Sequence, residues 1–379
     1  MSAPRAERRA APSRPAACRE TRQALVASKP AQAGLEPRHS LPSGDRPTYP
    51  SDEGPSRQVL ALSGGVGGAK LALGLARVLD PAALTVVANT GDDFEHLGLA
   101  ISPDIDTLLY TLSDLADPER GWGRRGESWN FMAALKQLGG ADWFALGDAD
   151  LALHVQRSLR LAQGDGLDAI TGDFGRALGI AARIVPMCNE RVRTRVRSDD
   201  GWLDFQDYFV RLRCAPVVRE LAYDGAAAAR PCGPLLQMAR DDGSLRAVVL
   251  CPSNPYLSID PILALPGVRD ALAACRAPVV AVSPIVGGDA VKGPTAKLMR
   301  ELGLAVGHAA IARHYAGLID ALVVDADEPG LREACGGDIE IVVAPTLMRS
   351  LGDRERLAAV VLEHADRSAT RRTVREEAA

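Results

Sequence analysis

The 379-residue sequence predicts an α/β fold, and three observations predict it. Apolar runs of four or five residues recur at 59–62, 84–88, 143–146, 247–251, 278–282, 321–324 and 339–343. Runs this short, bounded by Gly, Pro and Asp, suit strands covered on both faces, as parallel strands are. Amphipathic helical segments at 69–79, 129–138, 151–161 and 295–302 fall between several of them, which makes βαβ units. A glycine-rich stretch joins the first run to the first helical segment. The expected architecture is a doubly wound, mostly parallel, Rossmann-like sheet.

Residues 1–57 precede the first run and differ in kind. They hold 10 Lys and Arg against 6 Asp and Glu, and 9 of the 25 prolines, without an apolar period. Such a segment cannot bury enough surface to offset its ordering entropy, so a disordered N-terminal extension is expected. It lacks the apolar region of a secretory signal, and its acids and prolines fit a transit peptide poorly. Deleting it is expected to leave activity and melting temperature nearly unchanged, and loss of soluble protein on deletion would contradict this.

Residues 58–379 form the expected catalytic domain. Within it, residues 181–232 break the alternation. Val192, Thr194 and Val196 alternate with Arg191, Arg193, Arg195 and Arg197; Asp199-Asp200-Gly201 makes a turn, and Leu203, Phe205, Tyr208 and Val210 follow. This predicts an inserted β-hairpin subdomain, whose open edges offer a contact for a homodimer.

Composition excludes several classes. With 44 Lys and Arg against 48 Asp and Glu the net charge is −4, and the residues after the basic extension carry −8. A broad basic surface for nucleic acid is therefore not expected. No apolar run nears the ~18 residues of a membrane span. The 7 cysteines are odd in number and contain no Cys-x-x-Cys pair, which points to a reduced, cytoplasmic protein without a zinc ribbon.

In an open α/β sheet, ligands bind beyond the carboxyl ends of the strands, so the loops there carry the chemistry. The first is Ser63-Gly64-Gly65-Val66-Gly67-Gly68-Ala69-Lys70. Its glycines admit close backbone approach, and the helix start that follows attracts phosphate. It is neither a Walker A loop, lacking the Ser/Thr after Lys70, nor a complete dinucleotide fingerprint. The second loop, Asn89-Thr90-Gly91-Asp92-Asp93, and the nearby Ser102-Pro103-Asp104-Ile105-Asp106 bring four carboxylates beside the glycines. A hard cation such as Mg2+ bridging anionic oxygens needs such groups, although helix capping explains one of them equally well. The third loop holds Gly147, Asp148 and Asp150, and a helix then places His154 and Arg157 on one face with Asp150. Pro252-Ser253-Asn254-Pro255 and Ser283-Pro284-Ile285-Val286-Gly287-Gly288 follow later strands, where rigid turns and ligand contacts are both served. Lys292 is a further candidate phosphate contact.

The ordered series SGGVGGAK (63–70), NTGDD (89–93), ISPDIDTLLYTL (101–112), RGWG (120–123), WFALGDADLALHVQRS (143–158), PSNPYLSIDPILALPG (252–267) and SPIVGG (283–288) closely resembles the 2-phospholactate transferase family of coenzyme F-420 biosynthesis. The resemblance spans about 58–365. It implies a magnesium-dependent enzyme that takes a guanosine diphosphate-linked small acid and moves the phospho-acid to the ribityl hydroxyl of the deazaflavin Fo, releasing GMP. Carried over, Asp106, Asp104 and Arg157 are the implied catalytic residues. Asp92, Asp93 and Asp104 are the implied metal ligands. Gly64, Gly65, Gly67, Gly68, Lys70, Asn89, Thr90, Asp148, Ser253, Asn254, Ser283 and Gly287 are the implied substrate contacts. On this basis Asp106→Asn is expected to abolish GMP release with the fold intact. The wording of the motifs is closer to bacterial members, whose donor acid includes phosphoenolpyruvate and phosphoglycerate derivatives. A regulatory sugar-nucleotide-binding relative of the same fold is the alternative, but that branch continues DDGGSSGR and then PPGD, where this chain has GDDFEHLG and SPDID.

Overall fold

The computed structural model describes residues 57–238, 243–290, 293–335 and 337–377. The expectations for the N-terminal extension and for Lys292 lie outside the described residues. Seven strands form one parallel sheet: β1 (Gln58–Ser63), β2 (Leu84–Ala88), β3 (Arg183–Pro186), β4 (Leu245–Leu250), β5 (Val279–Val282), β6 (Ala321–Val324) and β7 (Glu340–Val343). Their spatial order is β3-β2-β1-β4-β5-β6-β7. The order runs outward in both directions from the β1/β4 boundary, which makes the sheet doubly wound and places a crevice where the winding reverses.

Both faces of the sheet are covered. Val59 and Ala61 of β1 join the layer built with α1 (Gly65–Val78), while Leu60 and Leu62 join the opposite layer. Residues one apart point to opposite faces of a strand, so each buried strand reads as a continuous apolar run. Further helices are α2 (Pro103–Leu112), α3 (Asn130–Gln137), α4 (Asp150–Ala162), α5 (Leu167–Ala177), α6 (Thr295–Glu301), α7 (His308–His314) and α8 (Leu351–Glu377). The last packs on α1 through Leu357, Ala358, Val361, Leu362 and Ala365, one stripe at helical spacing. Each fully buried Leu or Val of that stripe contributes about 1.5–3 kcal/mol.

The two helices touch at Gly74. A Cβ there would sit 2.2 Å from the Arg354 carbonyl oxygen, so only glycine lets the backbones meet. Gly74→Val is expected to destabilise the protein by about 1–3 kcal/mol through overpacking, read as a lower urea midpoint at unchanged slope.

Two expectations need correction. Residues 183–186 were grouped with the inserted segment, but they form the edge strand β3 of the main sheet, paired with β2 from Thr85↔Arg183 to Ala88↔Pro186. The strand is short and ends on Pro186, a residue an edge tolerates because one side needs no ladder donor. The inserted sheet begins later: Arg193–Ser198 is its centre, flanked antiparallel by Gly201–Asp204 and Glu220–Asp224. Val192 and Val196 enter the core, while Arg195 and Arg197 pair with Asp204 and Glu220 on the open face. The run 143–146, expected as a strand, is none. Trp143 and Phe144 instead meet His96 and Phe94 edge to face, at centroid distances of 4.9 and 4.8 Å, in a separate aromatic cluster.

Candidate active site

A cavity of about 490 Å³ opens where the winding reverses. The loop after β1 lines it with Gly64, Gly65, Val66 and Gly67; Lys70, Asp92 and Asp104 stand beside them. The loops after β4 and β5 add Pro252, Ser253, Asn254, Ser283, Pro284 and Val286. Trp122, Phe205 and Phe209 form an aromatic wall.

The glycine loop is dictated by crowding. A Cβ at Gly67 would lie 2.4 Å from the Pro252 carbonyl oxygen, and one at Gly68 would lie 2.4 Å from Ser63 Oγ. Ser253 knits the two loops together: its Oγ accepts the Gly64 N–H at 3.1 Å and donates to the Gly64 carbonyl at 2.8 Å. At the start of α1 the Gly65 N–H is taken by Asp104 Oδ1 at 2.6 Å. The N–H groups of Val66 and Gly67 have no carbonyl four residues back within the helix, and both residues line the cavity. Such open donors, together with the helix dipole, suit an anion. Lys70, one turn on, donates to the Met348 carbonyl at 3.1 Å across the same cavity.

Asn89 organises the acids. Its Nδ2 donates to Asp92 Oδ1 at 3.2 Å and Asp104 Oδ2 at 3.0 Å, so two carboxylates converge on one amide nitrogen. Burial pushes the Asp104 carboxyl up to about 6, and burial together with the Asp104 charge lifts Asp92 well above the usual range. Two buried carboxylates that resist ionisation side by side fit a hard cation. Mg2+ is commonly held by one or two carboxylates and completes its shell with water and phosphate oxygens. Among the described residues no cluster of three or more His, Cys, Asp and Glu side chains is shaped for a metal, so substrate oxygens would have to supply the rest.

Asp93 turns away from the cavity and accepts from Ser102 Oγ at 2.7 Å, and burial pushes its carboxyl up to about 7. Thr90 is buried and does not line the cavity. These raised values have a consequence for stability. Between the unfolded value near 4 and the folded values near 6 and 7, the native state holds more protons than the unfolded chain. The contribution of these groups to stability therefore falls as pH rises through that window. In chelator, melting temperature is expected to drop between pH 5 and 7.5, and added Mg2+ to raise it more at pH 7.5 than at pH 5. A Mg2+ shift independent of pH would contradict the assignment.

Asp106 and Arg157 lie elsewhere. Arg157 is 1% exposed and grips Asp106 with both terminal nitrogens, one at 3.2 Å from Oδ2 and the other a still shorter contact to Oδ1. Arg157 also donates to the Ala100 carbonyl at 3.3 Å, and His154 Nε2 lies 3.1 Å from Asp150, which accepts from Tyr110. Burial raises the Asp106 carboxyl, and Arg157 and His154 pull against that rise. Neither Asp106 nor Arg157 lines the cavity. The predicted shared face of Asp150, His154 and Arg157 is present, but it points into this buried network.

Asp148 is a helix cap. It accepts from the N–H groups of Asn130 and Phe131 at 3.1 and 3.0 Å and from Ser128 Oγ at 2.6 Å, and these bonds hold its carboxyl down at about 2. It thus satisfies the open end of α3 rather than facing the cavity. Asn254 is likewise partly structural: its Oδ1 accepts from the N–H groups of Tyr256 and Leu257, while Nδ2 donates to Thr295 Oγ1 at 3.0 Å. The Gly287 N–H is held by Asp325 Oδ2 at 2.7 Å. The aromatic wall was not foreseen; RGWG carried Trp122, but nothing in the pattern joined it to Phe205 and Phe209 from the inserted segment.

Strand order, with open helix N–H groups and paired acids at the point where the winding reverses, defines a Rossmann-like α/β fold with a cavity at its switch point. The family model for 2-phospho-L-lactate transferase CofD matches residues 59–335, and the chain belongs to that family. It is thereby a transferase of coenzyme F-420 biosynthesis. A phosphoenolpyruvate transferase of Kitasatospora aureofaciens is 38% identical over 82% of this chain and 98% of its own length. A 2-phospho-L-lactate transferase of Methanocaldococcus jannaschii is 35% identical over 80% of this chain and 97% of its own. A solved Bacillus halodurans protein of the UPF0052 family shares the fold at a TM-score of 0.56 with 16% identity, covering 81% of this chain and 100% of that one. Among the described residues no helix is long and apolar enough to cross a membrane.

Proposed function

We propose that this protein transfers a phosphoenolpyruvyl group from its guanosine diphosphate-linked donor to the terminal ribityl hydroxyl of Fo, releasing GMP. The observation that carries this reading is the meeting, in one cavity, of an anion site on α1, the paired Asp92 and Asp104, and an aromatic wall. Phosphoenolpyruvate is the preferred acid because bacterial relatives 37–38% identical are phosphoenolpyruvate transferases.

The N–H groups of Val66 and Gly67, with Lys70, hold the diphosphate of the donor. Ser253, Asn254 and Ser283 surround its nucleoside end, and Trp122, Phe205 and Phe209 offer stacking area to the flat deazaflavin. The acceptor hydroxyl oxygen attacks the phosphorus that bears the acid, the bond from that phosphorus to the oxygen of GMP breaks, and the hydroxyl proton leaves to solvent water. Asp92 and Asp104 would hold Mg2+, which when bound offsets the negative charge of the diphosphate. The rest of the catalysis is positioning and electrostatics, with no covalent intermediate.

The test is mass spectrometry of the deazaflavin after incubation with Fo, Mg2+ and an equal mixture of lactyl, enolpyruvyl and glyceryl guanosine donors. The enolpyruvyl adduct is expected. A lactyl or glyceryl adduct would change the acid, and no Fo adduct at all would overturn the reading.

A further inference from the structure

Ser258 has no part in the transfer described above, yet it stands among the groups that do. It belongs to a π-helical turn, Pro255–Ile259, that follows the Asn254 cap in the loop after β4. Turns of this wider kind are rare and recur at functional sites. Ser258 lines the cavity and is 8% exposed, and its hydroxyl makes no hydrogen bond among the described residues. A hydroxyl buried without a partner is a net cost to folding. Alanine would fill the position without that cost, so packing alone does not account for a serine there.

The turn is aimed at the acid pair. The same Asn89 Nδ2 that donates to Asp92 and Asp104 lies 3.3 Å from the carbonyl oxygen of Leu257, the residue before Ser258. Gly64 fixes the other side. A Cβ on it would fall 2.8 Å from Ser258 Oγ and 2.7 Å from Asp104 Oδ2, so the hydroxyl and the carboxylate flank one gap that any larger residue at 64 would fill. Asp92, Asp104 and Ser258 are thus gathered around one amide and one glycine, and all three line the cavity.

A Walker-type phosphate loop carries a Ser or Thr directly after its lysine, and that hydroxyl oxygen ligates Mg2+. Leu71 holds the corresponding position here and is buried in the layer built with α1. The hydroxyl missing from the head of α1 is present instead on the π-helical turn across the gap.

We propose that Ser258 Oγ is a third protein ligand, beside Asp92 and Asp104, for the divalent cation of this cavity. A hydroxyl is a hard oxygen donor that suits Mg2+ and Mn2+, and it adds no charge to two carboxylates that already repel each other. Its proton stays available for a phosphate oxygen. The inference rests on the magnesium reading and adds a ligand to it, with water and phosphate oxygens completing the shell.

The test is titration of the full chain with Mn2+, displaceable by Mg2+ and followed by electron paramagnetic resonance, with and without GDP. Ser258→Ala is expected to weaken Mn2+ at least about tenfold. Its metal-free melting temperature should hold or rise, since an unpartnered hydroxyl has been removed. Ser258→Cys is the sharper variant, because a thiolate is a soft ligand. Mn2+ should weaken as in Ser258→Ala, while Cd2+, read by displacement of Mn2+, should bind at least about tenfold more tightly than to the unaltered protein. Unchanged Mn2+ affinity in Ser258→Ala would overturn the proposal, as would loss of Mn2+ in Ser258→Cys with no gain for Cd2+. Failure of the unaltered protein to take up Mn2+ at all would instead remove the magnesium reading, and this ligand with it.

Discussion

Asp104→Asn is expected to lower kcat by about 100- to 1,000-fold while the protein stays folded. Asp104 joins the head of α1 to the acid pair: it accepts the Gly65 N–H, shares the Asn89 amide with Asp92, and lines the cavity itself. Asparagine keeps the shape and the bond to Gly65, but it removes a charge from the proposed Mg2+ site and turns an NH2 toward the Asn89 NH2. Stability should move the other way. Above pH 7 Asp104 is a buried carboxylate that repels Asp92, so its removal relieves a strain the site holds for function. Metal-free melts at pH 8 should therefore show no loss for the variant, and the Mg2+-dependent rise in melting temperature should shrink. Full turnover, or an undiminished Mg2+ shift, would refute the role.

Arg157→Ala is expected to cost about 3–5 kcal/mol of stability, the largest loss for a single substitution proposed for this chain. Arg157 is buried on Asp106, and its removal leaves a buried carboxylate beside Asp150 without its guanidinium partner. Asp106→Asn strands the guanidinium in the same way. From the sequence that variant was expected to abolish GMP release with the fold intact; the ion pair makes lowered stability the expected first effect, with activity falling as the folded fraction falls. Replacing both partners, as Arg157→Met with Asp106→Leu, should recover most of the loss, since apolar pairs of similar volume often match a buried ion pair. Urea denaturation of the two single variants and the double one closes the cycle. A loss below about 1 kcal/mol for Arg157→Ala would contradict the burial argument.

The periodicity of apolar runs was enough for the sheet because a strand covered on both faces has to be continuously apolar, and 59–62 or 321–324 can serve little else. It failed at 143–146, where Trp143 and Phe144 satisfied the same pattern by packing edge to face on His96 and Phe94. It also missed β3, whose four residues at an edge end in proline. Local motifs were legible where one loop does the work, as in the glycine loop, and the pairing of Asp92 with Asp104 was within reach of the two acidic clusters. The role of Asp148 was not, since capping α3 joins residues 18 positions apart.

The sequence by itself determined the doubly wound sheet, the loop that opens α1, the acidic clusters and the family, because each is written in contiguous residues whose spacing or wording carries the physics. Only the tertiary structure decided which acids share the cavity and which are buried in ion pairs. It alone brought Trp122, Phe205 and Phe209 to one cavity, and it alone joined Ser283, His308 and Asp325 by hydrogen bonds. The reason is that a side chain's partners, and so its charge and its hydrogen-bond direction, are set by packing between segments from 15 residues apart, as Asn89 and Asp104 are, to 278, as Lys70 and Met348 are, separations that no sequence period spans.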